Sequence, residues 1–290
     1  MTYIKIFLLF SREILLILKV CFILKVFGKR LFTSRLLKSA ESGAVFCAGS
    51  SVNKVSNKEL NSKGSLKIGF GPWFYHDVAP DVYFFEMKPK ARNVTKIQFD
   101  AFAAKRNDYK NTLFVCTGLQ FFTIFDQIKC IQYINKHFPK ELGANLYFLQ
   151  NLRTFHSSDS KSIMATKYYY KLKRFLNHFG VFFFMRGSVS TAIDVGSTFC
   201  KTLSIYGLDN SSEYFFEKYK SSKGFNFEFI PNLHGKSTVH RTNDIKRGRP
   251  TINFVLATMM EFRKSTYTIE FKGLVTNEQI IKSASEEFTS

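Results

Sequence analysis

Short apolar bursts recur along the chain, each closed by glycine, proline or small polar residues. Ala44–Ala48, Leu66–Phe70, Val82–Glu86, Thr112–Cys116, Asn145–Leu149, Leu203–Tyr206 and Tyr267–Phe271 have the length and the β-branched or aromatic content of buried strands. Segments of helix length separate several of them. Residues 93–109 are polar and periodic, Ser162–Phe179 is amphipathic, and Thr251–Phe262 is a third such run opening after Pro250. Strands alternating with helices predict parallel βαβ units, an α/β fold with a Rossmann-like parallel sheet and helices on both faces. The sequence shows no internal repeat of solenoid length.

The first stretch, Met1–Phe32, is apolar but interrupted by charge. Lys5, Arg12, Lys19 and Arg30 fall on one stripe at the helical period. No uncharged run approaches the roughly 20 residues of a spanning helix. The pattern predicts an amphipathic membrane helix over residues 1–35, lying in the interface with a basic edge toward anionic headgroups. The competing readings are a buried core helix and a spanning helix or uncleaved signal anchor. A polar linker over 36–43 leads to a catalytic domain over 44–276, followed by a polar tail over 277–290. The 290 residues carry a formal net charge of +20, which attracts anionic membranes, nucleic acid or polyanionic ligands. Five cysteines without C-x-x-C spacing, several in apolar runs, point to reduced buried thiols.

The stretch from Phe184 to Tyr219 concentrates the candidate chemistry. Gly187, Ser188, Ser190 and Thr191 open a helical run, with Ser188 at a start whose N–H groups suit an anion. The strand that follows breaks at Gly207-Leu208-Asp209. Ligands of open α/β sheets sit beyond the carboxyl ends of strands, where this turn lies. Gly49-Ser50-Ser51 after the first strand is a second turn of that kind, without a GxGxxG or Walker pattern. His240, on a polar loop ahead of the last predicted helix, suits a general base because imidazole titrates near neutrality; His234 is a lesser candidate. There is no G-x-S-x-G, H-E-x-x-H or Cys/His zinc pattern, and no D-x-D to hold a cation against a diphosphate.

The order of these motifs resembles the bacterial CMP-sialic-acid-dependent sialyltransferases of glycosyltransferase family 42. Where that family has A-G-N-G-P-S-L, this chain has Ala48-Gly49-Ser50-Ser51-Val52. Gly69-Phe70-Gly71-Pro72-Trp73-Phe74-Tyr75 takes the place of C-N-Q-F-Y-F, and Met185-Arg186-Gly187-Ser188-Val189 that of R-I-T-S-G. Tyr206-Gly207-Leu208-Asp209, then Asn210-Ser211-Ser212-Glu213-Tyr214-Phe215, stand for S-G-I-D-F and N-G-S-S-Y-A-F. Val239-His240-Arg241-Thr242-Asn243-Asp244-Ile245 stands for G-H-S-K-N-T-D-I. The resemblance covers residues 44–272 and implies a GT-A-like variant of the Rossmann-like fold. It implies His240 as base on the acceptor hydroxyl, Tyr214 beside the departing phosphate and Tyr219 as a looser second tyrosine. Gly49, Ser50, Ser51, Gly207 and Asp209 would bind the nucleotide, and Arg186 and Ser188 the sugar.

The implied function is metal-independent, inverting transfer of an acidic sugar from a CMP donor to a cell-surface glycan, lipopolysaccharide or capsule. No cofactor is implied. The implied place is the cytoplasmic face of the inner membrane, peripheral or anchored by the first helix, with monomer and oligomer both open. Ser50 replaces the family's asparagine, and Gly71-Pro72 its asparagine-glutamine pair. These departures keep transfer from another nucleotide sugar as an alternative. A membrane-associated nucleic-acid-binding protein, carried by the charge and the Lys167–Arg174 segment, is a second alternative, and a non-catalytic scaffold, supported by the same Ser50 and Gly71-Pro72 departures, a third. No RRM, KH or helix-turn-helix signature accompanies that segment, so no nucleic acid is expected.

Overall fold

The computed structural model describes residues 2–62, 64–87, 92–153, 160–185, 187–209, 214–215, 251–263, 267–273 and 275–289. The sheet is built from β1 (Ala40–Phe46), β2 (Ser65–Phe70), β3 (Val82–Glu86), β4 (Leu113–Thr117), β5 (Leu146–Phe148), β8 (Cys200–Tyr206) and β9 (Thr268–Lys272). Its order is β5-β4-β3-β2-β1-β8-β9, and every neighbouring pair is parallel. A separate parallel pair joins β6 (Gln150–Arg153) to β7 (Val181–Phe184). The helices are α1 (Thr2–Val26), α2 (Asn57–Leu60), α3 (Arg92–Ala104), α4 (Ile124–His137), α5 (Ser160–His178), α6 (Ser188–Phe199), α7 (Ile252–Arg263) and α8 (Asn277–Thr289).

Both faces of the sheet are buried, which is why its strands read as apolar runs rather than alternating ones. Successive side chains of β1 serve opposite cores. Ala44 and Phe46 pack with α3, α4 and the short helical turn Gly71–Tyr75. Val45 and Cys47 pack with α6 and α7. Phe85, Phe99, Phe102, Phe114 and Phe138 fill the first core with rings that meet edge-to-face or tilted, apart from the parallel pair Phe85 and Phe138. Helix α6 is held by a buried polar cluster. Asp194 accepts from Lys173 Nζ at 2.5 Å, from the Tyr169 hydroxyl at 2.5 Å and from the Phe183 N–H at 2.9 Å. Burial, then the Asp194 charge, push the Tyr169 phenol well up, so it stays a donor. Removing one partner would strand the others in the interior.

Helix α1 departs from the sequence expectation of a separate membrane helix over 1–35. Val20, Ile23 and Leu24 join the first core and Ile17 the second, so α1 is an element of the domain. The chain after it continues along the sheet: the Phe32 N–H donates to Phe148 O at 2.8 Å, and the Phe148 N–H to Arg30 O at 2.9 Å. Two cations of the basic stripe turn back onto the domain. Lys19 Nζ reaches Phe122 O at 3.5 Å, while Arg30 donates to Ala144 O and lies over the Tyr147 ring. No helix among the described residues is long and apolar enough to cross a membrane.

The predicted polar tail over 277–290 is also corrected, because it folds as α8. Ile280, Ala284 and Glu287 recur at helical spacing and are buried. Glu287 accepts from the Thr251 N–H at 3.0 Å and from Thr251 Oγ1 at 2.5 Å, which ties the start of α7 to the end of α8.

Candidate functional site

The strand order places a topological switch beside β1. The chain passes outward from β1 through β2, β3, β4 and β5, then returns to β8 on the opposite side of β1. Connections that leave in opposite directions open a crevice at the carboxyl ends of those two strands. Gly49–Ser51 follows β1 there, and Gly207–Asp209 follows β8.

The two turns are fastened to one another. The Gly49 N–H donates to Gly207 O at 2.8 Å, extending the β1–β8 ladder past its end. Asp209 accepts the Ser51 N–H on Oδ2 at 2.7 Å and the Ser51 hydroxyl on Oδ1 at 2.6 Å. Both residues are buried. These N–H groups therefore serve the protein's own carbonyl and carboxylate, and the Asp209 charge forms part of the crevice floor. Glycines allow this closeness. A Cβ on Gly49 would stand 2.4 Å from Asp209 Oδ2, and Gly207 holds φ +69 with a would-be Cβ 2.5 Å from Val52 Cγ2. Gly273, just after β9, closes the third side: a Cβ there would lie 3.0 Å from Ser51 Oγ. Sequence reasoning passed over Gly273, although a glycine directly after a strand was the available signal.

Tyr214 belongs to this constellation. It forms an antiparallel bridge with Gly49, and the Phe215 N–H donates to Ala48 O at 3.0 Å. Beneath them lies a ring stack absent from the sequence reading. Trp73 stacks on Phe46 with centroids 4.4 Å apart and on His76 at 4.2 Å, and Phe215 leans against Trp73 at 5.2 Å. Trp73 Nε1 donates to Val78 O, and the Val78 N–H donates to His76 Nδ1, which leaves the proton of a neutral ring on Nε2. His76 is buried, so it supports the floor without reaching the crevice.

Ser188 lies at a different strand tip. It starts α6 after Gly187, whose φ is +135, and its hydroxyl donates to Glu86 Oε1 at 2.9 Å. Glu86 ends β3, two strands from β1, or about 10 Å along the sheet. The helix start read as an anion site thus meets a carboxylate of the protein itself. Ser190 and Thr191 bind the end of β7: Ser190 Oγ accepts the Met185 N–H at 3.0 Å, and Thr191 Oγ1 donates to Phe183 O at 2.9 Å. Ser50 lies in the short helical turn after Gly49. Arg186, Tyr219, His234 and His240 lie outside the described residues.

Cys47, beside Asp209, is no nucleophile. Burial first, and the Asp209 charge second, push its thiol far above the ordinary range, so it stays protonated. Among the described residues, no group of three or more His, Cys, Asp or Glu side chains gathers to hold a metal.

No protein-family model and no curated protein matches this sequence. Among solved structures, the chain is similar to the monofunctional alpha-2,3-sialyltransferase Cst-I from Campylobacter jejuni. The likeness extends over 86% of this chain and 79% of that one, at 14% identity and a TM-score of 0.44. It concerns the general course of the chain and assigns no residue a role.

Proposed function

We propose that this protein is a glycosyltransferase that seats a nucleotide-sugar donor over the β1–β8 switch point. One observation carries the reading: five residues singled out as donor-binding or catalytic, Gly49, Ser51, Gly207, Asp209 and Tyr214, converge on one fastened pair of turns at the place where open α/β sheets bind ligands. The motif order along the sequence supports transfer in place of mere binding. In this reading the nucleoside rests on Gly49, Ser50 and the Gly207–Asp209 turn. The sugar extends toward Ser188, and Tyr214 and Tyr219 donate to the departing phosphate. The donor is a CMP-activated acidic sugar, and the acceptor is a cell-surface glycan. A monophosphate leaving group carries less charge than a diphosphate, so hydroxyls and N–H groups suffice without a cation. The displacement is single and inverting, with His240 taking the acceptor proton.

The pairing of Ser188 with Glu86 favours a second reading of the donor. A carboxylate at that tip repels an acidic sugar unless a cation stands beside it, and Arg186 is the residue assigned to that task. Without that cation, a neutral or amino sugar on another nucleotide fits better.

Donor hydrolysis by the purified protein, followed by phosphorus NMR in EDTA, tests the proposal. Turnover of a CMP-linked acidic sugar is the expected result. Turnover of another nucleotide sugar selects the second reading, and strict dependence on Mg²⁺ or Mn²⁺ contradicts the metal-free mechanism. Tyr214→Phe keeps the buried ring and removes one charge-assisted hydrogen bond, worth about 1.5–3 kcal/mol. Turnover should then fall by roughly ten- to a hundredfold at an unchanged melting temperature. Unchanged turnover would remove Tyr214 from the site.

A further inference from the structure

We infer that α1, α5 and the start of α4 together form one surface that docks on an anionic lipid bilayer. The outward face of α1 lies opposite its packed face and is apolar: Leu15 is 66%, Leu18 58% and Phe22 69% exposed, whereas Ile17, Val20 and Leu24 are buried. Helix α1 touches both α5 and the turn at Leu119–Phe121, which leads into α4. Each neighbour presents rings of its own. Phe175 on α5 and Phe179 just after it are 64% and 54% exposed and lie edge-on at 5.0 Å; on α4, Phe125 is 76% exposed. Monomeric proteins seldom expose so many large apolar side chains on adjoining elements without a partner.

Charge selects the partner. Helix α5 contains no acidic residue, and the single one of α1, Glu13, is buried. Arg12 and Lys25 on α1, Lys171 and Arg174 on α5, and Lys129 one turn beyond Phe125 are exposed around the rings. Apolar side chains entering the acyl boundary beneath a rim of cations match a bilayer of anionic lipids. Another protein copy with the same positive rim would be repelled. Only the surface of the folded domain is involved, since α1 is fixed by its buried face. Phe121 and Phe125 follow the tip of β4, so this surface adjoins the sheet edge that carries the candidate site, about 14 Å from β1.

Sedimentation of the full chain with vesicles tests this independently of any transfer activity. The probes are vesicles of phosphatidylcholine alone and of equal parts phosphatidylcholine and phosphatidylglycerol. Binding should be strong to the mixed vesicles, weaker to the neutral ones, and reduced by high salt. Phe125→Glu and Phe175→Glu lie on helices other than α1 and alter exposed side chains. Each should lower mixed-vesicle affinity about tenfold at an unchanged melting temperature. The inference is overturned if the wild-type protein ignores both vesicles, or if only α1 substitutions weaken binding. It is overturned equally if Phe22→Glu instead dissociates a dimer in lipid-free solution.

Discussion

Replacing His240 with alanine is expected to lower glycosyl transfer by about 10²–10⁴-fold, the usual range for loss of a general base. Donor affinity and melting temperature should hold. An attacking hydroxyl must lose its proton, and the strand tips offer few groups to take it. Asp209 is buried with both oxygens already accepting from Ser51, and the Cys47 thiol is held neutral by burial and by the charge of Asp209. Glu86 at the β3 tip, which accepts the Ser188 hydroxyl, is a carboxylate on the sugar side of the crevice, so Glu86→Gln is the informative comparison. A protonated imidazole accepts nothing, so wild-type turnover should fall as the pH drops below about 6.5. That limb should vanish in His240→Ala, and His234→Ala should be mild. Full activity in His240→Ala together with loss in Glu86→Gln would move the base to Glu86.

Removing residues 1–26 is expected to abolish cooperative melting rather than release a soluble folded domain. Ile17, Val20, Ile23 and Leu24 are buried in the two cores. Each contributes about 1.5–3 kcal/mol by burial, so the four together approach the roughly 5–15 kcal/mol by which whole domains are stable. Leu24→Ala alone should cost about 2–5 kcal/mol. Circular dichroism melts of the truncated and substituted chains check both. A truncated chain melting cooperatively at the wild-type temperature would show α1 to be an appendage.

The sheet was legible because burial on both faces leaves little room for polar residues. Val82–Glu86 is β3 as read, and the other expected strands lie within a few residues of those observed. β1 starts earlier, at Ala40, because Ser42 pairs with Ser65 and Thr202 near the amino edge, where side chains are exposed. β6 was not legible, since Gln150 and Asn151 are polar yet fully buried, with side-chain amides that find no protein partner. Helix α8 reads as polar because only one face packs. The outward face of α1 misled in the opposite way: apolar residues cover both of its sides, and periodicity alone does not say which side meets the domain. Gly49, Ser51, Gly207 and Asp209 were legible as residues of turns that follow strands, and Tyr214 only through the order of motifs. The Trp73–His76 stack beneath the floor and Gly273 were not, because the contacts that bring them there, Trp73 with Phe46 and Phe215 and Gly273 with Ser51, join residues distant in sequence.

Calorimetric titration of the protein with cytidine monophosphate, alongside uridine and guanosine diphosphates, decides whether the β1–β8 crevice holds a nucleotide. Saturable binding of a nucleotide from this set is expected. Gly49→Ala, whose methyl would press on the Asp209 carboxylate, should weaken it at least tenfold. Binding of none of these nucleotides, or equal binding by wild type and a folded Gly49→Ala variant, would contradict a nucleotide site at the β1–β8 switch point.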